Sequence, residues 1–277
     1  MQPRSWLFVP ADSERKIAKA LESEADALIF DLEDSVAPAN KAKAREMLKE
    51  LPKGSDGPEL WVRVNPIFSE FHKDDLRILR VAEIHGIVLP KSESGADVIQ
   101  LAHRTGNIPV HAIVTETAAS MFGLFSYRDP KSPLAAMSWG AEDLSAGLGA
   151  SSKYDPDGKL SFTYRLARSL CLAGAVAAGV QPVDGVFADF RDEEGLRAET
   201  GAARSEGFTG KLAIHPSQVA VINAAFTPSD EEIRYAEQIV AAFEAHPDVG
   251  VLVVDGRMVD RPHLVQARRV LERATRE

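Results

Sequence analysis

Cys171 is the chain's only cysteine, so no internal disulfide can form. It lies in the apolar run "LCLAGAVAAG", where it reads as a small buried thiol. Long hydrophobic runs are missing too. No stretch approaches the roughly 18 apolar residues of a membrane helix. The N-terminal "MQPRSWLFVPADSERK" turns charged after an apolar run too short for a signal peptide. The expectation is a reducing, cytoplasmic setting. Positive charge is scarce: 32 Lys and Arg face 41 Asp and Glu, a net charge of −9. That sign disfavours nucleic acid and anionic membranes as partners. A local basic site for one anionic ligand remains open.

Two further absences narrow the chemistry. No Cys/His cluster offers a zinc site, because His103, His111 and His215 are scattered. No glycine-rich phosphate turn follows the first apolar run, where the chain reads "VPADSER"; the later "GLGAS" (147–151) does not follow a strand directly. Both facts weigh against a doubly wound nucleotide-binding sheet.

The chain does hold a regular series of short apolar runs rich in Val, Ile, Phe and Trp. They are "SWLFVP" (5–10), "ALIFDLED" (27–34), "LWVRVNP" (60–66), "GIVLPK" (86–91), "VHAIVTET" (110–117), "AMSWGAED" (136–143), "DGVFADF" (184–190) and "KLAIHP" (211–216). Helical segments fill most of the gaps. Asp12 and Ser13 can cap the first helix, and Pro38 suits the first turn of the second. Near-continuous apolar strands fit a parallel sheet covered on both faces. With 277 residues, eight such units point to a (β/α)8 barrel. The barrel is expected over residues 1–228. Residues 229–277, which hold a capped helix, the hairpin-like "VGVLVVDGRMV" and a final basic helix, form a C-terminal helical and hairpin appendage. The unbroken "VGVLVV" should need a surface to cover it.

Barrel chemistry sits at the C-terminal ends of the strands, and polar residues gather there. The second run ends in Asp31, Glu33 and Asp34. The third carries Arg63 and Asn65, the fourth Lys91 and the fifth Glu116. The sixth ends in Glu142 and Asp143, the seventh in Asp189 and the eighth in His215. Acids converging on one mouth need a cation. Carboxylates with water suit a hard ion such as Mg²⁺. Arg63 and Lys91 can share the charge and hold an anionic substrate. A Schiff-base role for Lys91 is disfavoured, since neighbouring acids would keep it protonated. Asp189 and His215 read equally as a local ion pair and a helix cap.

Taken together, "RSWLFVPADSERKIAKAL", "ALIFDLEDSV", "WVRVNP", "VLPKSES", "VTETA", "GAEDLSAGLG" and "GFTGKLAIHPSQV" resemble the citrate lyase beta-subunit-like branch of the HpcH/HpaI aldolase and citrate lyase family, in order over most of the chain. The resemblance implies a TIM (β/α)8 barrel, assembled as a homotrimer or a hexamer. It implies Mg²⁺ (or Mn²⁺) and a coenzyme A thioester, cleaved into acetyl-CoA and a 2-oxo acid. On this likeness the metal ligands fall on Glu116 and Asp143, with Glu116 also at the substrate. Arg63 falls on the substrate-carboxylate position, and Glu33 and Asp34 hold the waters on the metal. Asp260 of "MVDRPH" falls on an aspartate supplied by a neighbouring subunit, which makes the appendage a lid and Asp260 the carrier of the acetyl-carbon proton. Where many relatives carry a more basic "PGNRP", this chain has "PADSE" (10–14); Arg15, Lys16 and Lys91 are the candidate coenzyme A contacts. The activities within this frame are a stand-alone acyl-CoA lyase, the citryl-CoA lyase subunit of a citrate lyase complex, a malyl-CoA thioesterase and a non-CoA 2-oxo-acid aldolase. An idle subunit is the reading from outside enzymology.

Overall fold

In the computed structural model, which describes residues 2–51, 57–80 and 82–274, eight parallel strands close on themselves in chain order. They are β1 (Ser5–Pro10), β2 (Ala27–Asp31), β3 (Glu59–Arg63), β4 (Gly86–Leu89), β5 (Val110–Val114), β6 (Leu134–Trp139), β7 (Gln181–Asp184) and β8 (Gly210–Ala213). β8 returns to pair with β1. Helices follow the strands: α1 (Glu14–Leu21), α2 (Lys41–Met47), α3 (His72–Ile78), α4 (Gly95–Thr105), α5 (Ser120–Gly123), α6 (Ala141–Leu148), α7 (Phe162–Ala178), α8 (Glu193–Glu206) and α9 (Val219–Phe226). The fold is the expected TIM barrel. The chain divides into two compact units, Gln2–Asn223 and the segment from Ala224 onward.

Strand residues alternate between the barrel interior and the helix layer. Trp6, Ala27, Ile29, Trp61, Val88, Ile113, Ala136, Val183 and Leu212 pack into one buried interior cluster. Trp6 and Trp61 meet edge to face, 5.0 Å between ring centroids. Gly86 makes room for this, since any Cβ there would run into the Trp61 ring. His111 lies beside these rings, 4.7 Å from Trp6, and shares a 2.9 Å hydrogen bond with Ser138. Burial drives its pKa down to about 3, so it is a neutral core group.

The seventh strand departs from expectation. It is "QPVD", not "DGVFADF". Gln181 and Pro182 disguise it, since proline seldom sits inside a sheet. Pro182 is tolerated because its carbonyl still accepts from Thr209 N–H at 3.0 Å. Asp189 therefore lies beyond the strand, in an exposed turn where its carboxylate accepts from the Arg191 N–H at 3.1 Å.

Starts of helices follow the sequence signals. Ser13 caps α1 through the Lys16 N–H at 3.4 Å, and Pro38 opens a 3-10 turn (Pro38–Asn40) ahead of α2. In the second unit, Ser229 and Glu232 form a capping box for α10 (Asp230–Ala245). β9 (Val251–Val254) and β10 (Arg257–Asp260) form a hairpin around Asp255 and Gly256, both at positive φ (49° and 73°). This is the Asp-Gly turn that antiparallel twist prefers. Val254 and Val259 pack with Ala236, Ile239 and Phe243 of α10 and with Leu264 and Ala267 of α11 (Arg261–Ala274). The apolar run is only half covered, because Val251 and Val253 point outward, 53% and 72% exposed. No helix among the described residues is long and apolar enough to cross a membrane.

Candidate active site

The end of β2 supplies the first acids. Asp31 is registered opposite Arg63 of β3, and both point into the barrel. The guanidinium grips the carboxylate with both prongs, Nε to Oδ1 and Nη2 to Oδ2, each at 2.7 Å. Asp31 also accepts from the N–H groups of Glu33 (2.8 Å) and Ser35 (3.0 Å). Burial pushes its pKa up, but the Arg63 charge and these hydrogen bonds win and hold it below the usual carboxylate range. Arg63 in turn rests its guanidinium carbon 4.6 Å from the centre of the Phe8 ring. Asp31 is thus committed to Arg63, a pairing that the matched positions of the two residues in neighbouring strands could have revealed.

The loop after Asp31 is fastened from behind by Asn65, which the sequence marks at a strand end, and by Lys41 and Asp75, which carry no such signal. The Lys41 ammonium donates to the carbonyls of Leu32 (2.7 Å) and Glu33 (2.9 Å). Asn65 Nδ2 donates to Leu32 O at 2.9 Å and to Asp75 Oδ2 at 2.7 Å. Asp75 is itself held by Arg45 Nε at 2.7 Å. A buried loop can carry polar backbone only if such partners satisfy it.

Glu33 points the other way, into the mouth. Its Oε1 pairs with the Lys91 ammonium. Its buried Oε2 lies 3.0 Å from Arg63 Nη1 without making an aligned hydrogen bond. Burial raises the Glu33 pKa, while Arg63 and Lys91 oppose the rise. Lys91 continues to Asp143 Oδ1 at 3.2 Å and to Asp34 Oδ2 at 3.6 Å. Asp143 lies in the first turn of α6, where a carboxylate suits the helix dipole. Asp34 is largely open to solvent, its side chain 61% exposed. Glu142, next to Asp143 in sequence, turns away to pair with Lys153.

Glu116 follows β5 and is almost fully buried. Its Oε2 accepts from the Lys91 backbone N–H at 2.5 Å. Burial, then the charges of Asp143 and Glu33, outweigh that hydrogen bond and the Lys91 charge, and raise its pKa to about 8. Gly140 is required beside it: a Cβ there would stand 2.8 Å from both Cγ and Oε1 of Glu116. The backbone is strained at two strand ends facing this acid. Lys91 and Thr115 both have positive φ, 52° and 57°. Each such residue costs on the order of 1–3 kcal/mol and concentrates at functional sites.

The structure thus brings Glu33, Asp34, Arg63, Lys91, Glu116 and Asp143 into one mouth. Arg15 and Lys16 are exposed in the first turn of α1, on the same end of the barrel. His215 is a cap rather than a member of the cluster, its Nδ1 2.8 Å from Ser217 Oγ and its ring stacked on Phe190. In the second unit, Asp260 Oδ1 contacts His263 Nδ1 at 2.5 Å at the start of α11.

The donor set fits a hard divalent ion. Five carboxylates (Asp31, Glu33, Asp34, Glu116, Asp143) face two cations (Arg63, Lys91), a surplus of three negative charges. The surplus holds with all five ionised; burial and the charges of Asp143 and Glu33 favour the neutral form of Glu116, which lowers it by one. Among the described residues no three His, Cys, Asp or Glu side chains enclose an ion by themselves. An ion here would keep open positions for water or substrate, the habit of Mg²⁺.

The HpcH/HpaI aldolase/citrate lyase family matches residues 4–216, and a C–C bond lyase family of the TIM-barrel fold matches residues 165–276. A (3S)-malyl-CoA thioesterase of Cereibacter sphaeroides is 40% identical over 276 residues, covering 98% of this chain and 94% of its own. A mitochondrial citramalyl-CoA lyase of Rattus norvegicus is 33% identical over 297 residues, covering 98% of this chain and 86% of its own. The crystal structure of protein CitE from Mycobacterium tuberculosis, in complex with magnesium, acetoacetate and coenzyme A, superposes with a TM-score of 0.85 at 38% identity, covering 98% of each chain.

Proposed function

Since the chain belongs to the HpcH/HpaI aldolase/citrate lyase family, we propose that it is a metal-dependent carbon–carbon lyase acting on a coenzyme A thioester. The substrate is a 3-hydroxyacyl-CoA of the malyl-, citramalyl- or citryl-CoA type, and the products are acetyl-CoA and a 2-oxo acid. The observation that carries the reading is the acid-rich mouth, with its surplus of negative charge around Glu116 and Asp143 and a preorganised Arg63 beside it.

Glu116 and Asp143 would hold Mg²⁺ or Mn²⁺, as the magnesium in the CitE complex supports. When bound, the ion supplies a Lewis acid for the hydroxyl, later keto, oxygen and the neighbouring carboxylate. The protein's own groups do the rest. Glu33 and Asp34 orient water at the ion from just behind the ligands. Asp31 fixes Nε and Nη2 of Arg63; Nη1, 3.0 Å from Glu33 Oε2 but without an aligned hydrogen bond to it, is the donor for substrate carboxylate or the enolate oxygen. As the hydroxyl loses its proton to solvent at the mouth, its O–H pair becomes the keto C=O, the C–C bond breaks and that bond's electron pair passes to the thioester enolate. Asp260 of a neighbouring subunit returns a proton to the acetyl carbon, in a homotrimer or hexamer whose appendages act as lids. The exposed Arg15 and Lys16 suit the phosphates of coenzyme A.

A second reading, hydrolysis of the same thioester, is favoured by the 40% identical (3S)-malyl-CoA thioesterases. One experiment separates the two. A panel of malyl-, citramalyl- and citryl-CoA is incubated with enzyme and Mg²⁺, and free CoA and 2-oxo acid are followed separately. A lyase releases oxo acid without free CoA; a thioesterase releases free CoA without oxo acid. Release of neither from any member refutes the proposal.

A further inference from the structure

Lys91 does two things at once in the mouth. Its side chain stands among three carboxylates, two from the loop after β2 and one from the first turn of α6: it is paired with Glu33, 3.2 Å from Asp143 and 3.6 Å from Asp34. Its backbone N–H donates to the fourth, Glu116, at 2.5 Å. The left-handed backbone, φ 52°, accompanies this double engagement. Only 27% of its side chain is exposed, so water cannot replace it cheaply. Without the ammonium, Glu33 would keep Arg63 Nη1 at 3.0 Å, but its repulsion with Asp34 and Asp143 would go unopposed across the mouth, an arrangement that a low-dielectric site penalises.

We propose that Lys91 is the resident counter-cation of this mouth. It draws the carboxylates together in the metal-free protein, and it must release Asp143 when a divalent ion takes that oxygen. It is a positioning residue: its backbone aims Glu116, while its ammonium competes with the ion and so sets how tightly the ion is held. This rests on the metal reading above, in which Glu116 and Asp143 are the ligands. A compact ammonium suits the task, because a point charge can leave one carboxylate without breaking a bidentate fork.

The test uses Lys91→Gly, which tolerates the left-handed backbone and keeps the N–H to Glu116 while deleting the ammonium. Lys91→Arg is the charge-preserving control. Mg²⁺ is titrated calorimetrically into each, and thermal unfolding is recorded in EDTA and in Mg²⁺. Lys91→Gly should bind Mg²⁺ at least about tenfold tighter than wild type, since a positive charge a few ångströms from the ion is removed. It should also melt lower in EDTA and gain more from Mg²⁺ than wild type does, while Lys91→Arg, which keeps the charge, melts near wild type in EDTA and binds Mg²⁺ no tighter than wild type. If wild type binds Mg²⁺ and Lys91→Gly binds it no tighter, the counter-cation role is wrong and the metal site stands. If wild type and both variants all fail to bind Mg²⁺, the metal reading falls and takes this inference with it. Should Lys91→Gly not fold in EDTA, refolding in Mg²⁺ decides: recovery supports the role, and failure to recover overturns it.

Discussion

Replacing Glu116 with Gln should stabilise the metal-free protein and abolish its response to Mg²⁺. The carboxyl is nearly fully buried, and burial followed by the charges of Asp143 and Glu33 lifts its pKa from 4.5 to about 8. A gap of about 3.5 pH units is worth about 5 kcal/mol at most, at about 1.36 kcal/mol per unit. The sign follows from proton linkage. The folded protein binds this proton more tightly than the unfolded chain does. The resulting stability is complete below the unfolded value of about 4.5, declines as pH rises and is gone above about 8. Gln mimics the protonated form at every pH, and its amide oxygen can still accept from the Lys91 N–H. The variant should therefore match wild type near pH 4.5 and exceed it by several kcal/mol above about pH 8.

The assay is equilibrium urea unfolding across that range with metal chelated, repeated with Mg²⁺. Mg²⁺ should raise the midpoint of wild type and leave Glu116→Gln unmoved, so the variant gains stability in one arm and loses it in the other. A difference between the two proteins that stays constant with pH would show that Glu116 is ionised throughout, and would refute the reasoning.

Gly140→Ala places a methyl 2.8 Å from the Glu116 side chain; calorimetry should show Mg²⁺ affinity reduced about tenfold or more, with an overpacking cost of about 1–3 kcal/mol in unfolding. Arg63→Lys keeps the charge but loses the fork on Asp31, so kcat/KM should fall at least about a hundredfold while a cooperative melting transition survives. Asp184, buried against Lys211 (2.8 Å) and Arg168 (2.8 Å), has its pKa pushed up by burial but pulled down further, to about 2, by those cations. Its stabilisation is present above about pH 4 and lost as pH falls toward 2, so urea unfolding should show Asp184→Asn destabilised by about 3–5 kcal/mol near neutrality and by less in acid. Asp260→Ala and Arg63→Ala should each be nearly inactive, and hybrids formed after dissociation and mixing should regain part of the activity; hybrids that stay dead place the whole site within one chain.

How much of this was legible in the sequence depends on what each residue leaves behind in a pattern. The strands of the barrel announce themselves as apolar runs, and Glu33, Asp34, Lys91, Glu116 and Asp143 are visible as polar residues at run ends because the fold forces such residues to one mouth. The seventh strand is hidden because "QPVD" is short, carries a proline and offers Val183 alone as a strand marker, whereas the downstream "VFADF" reads as an apolar run without being a strand. Lys41, Asp75 and the fastening role of Asn65 are silent for a different reason. They act by hydrogen-bonding backbone carbonyls or one another across 8 to 33 residues, and no local pattern records such pairings. The hairpin turn was legible from Asp255-Gly256, but the outward-facing Val251 and Val253 were not, since alternate exposure of a strand depends on what packs against it.

The charge balance at the mouth also decides between two carbonyl chemistries. A lysine that forms a Schiff base must first be a neutral amine, and proteins achieve that by burying it in apolar surroundings or beside another cation. Lys91 is in the opposite situation. Burial alone would lower its pKa, but the hydrogen bond to Glu33 and the charges of Glu33, Asp143 and Glu116 raise it above the ordinary lysine value. The ammonium is therefore locked in the form that cannot attack a carbonyl. Arg63 cannot lose its proton either. With no neutral amine among these groups, the carbonyl oxygen must be activated electrostatically, and the groups left to organise that are the carboxylates. Three of them lack a committed cation of their own: among the described residues Glu116 accepts from a backbone N–H of Lys91, and Asp143 and Asp34 share an ammonium already paired with Glu33. That is the electrostatic signature of a site built around an ion rather than around an imine.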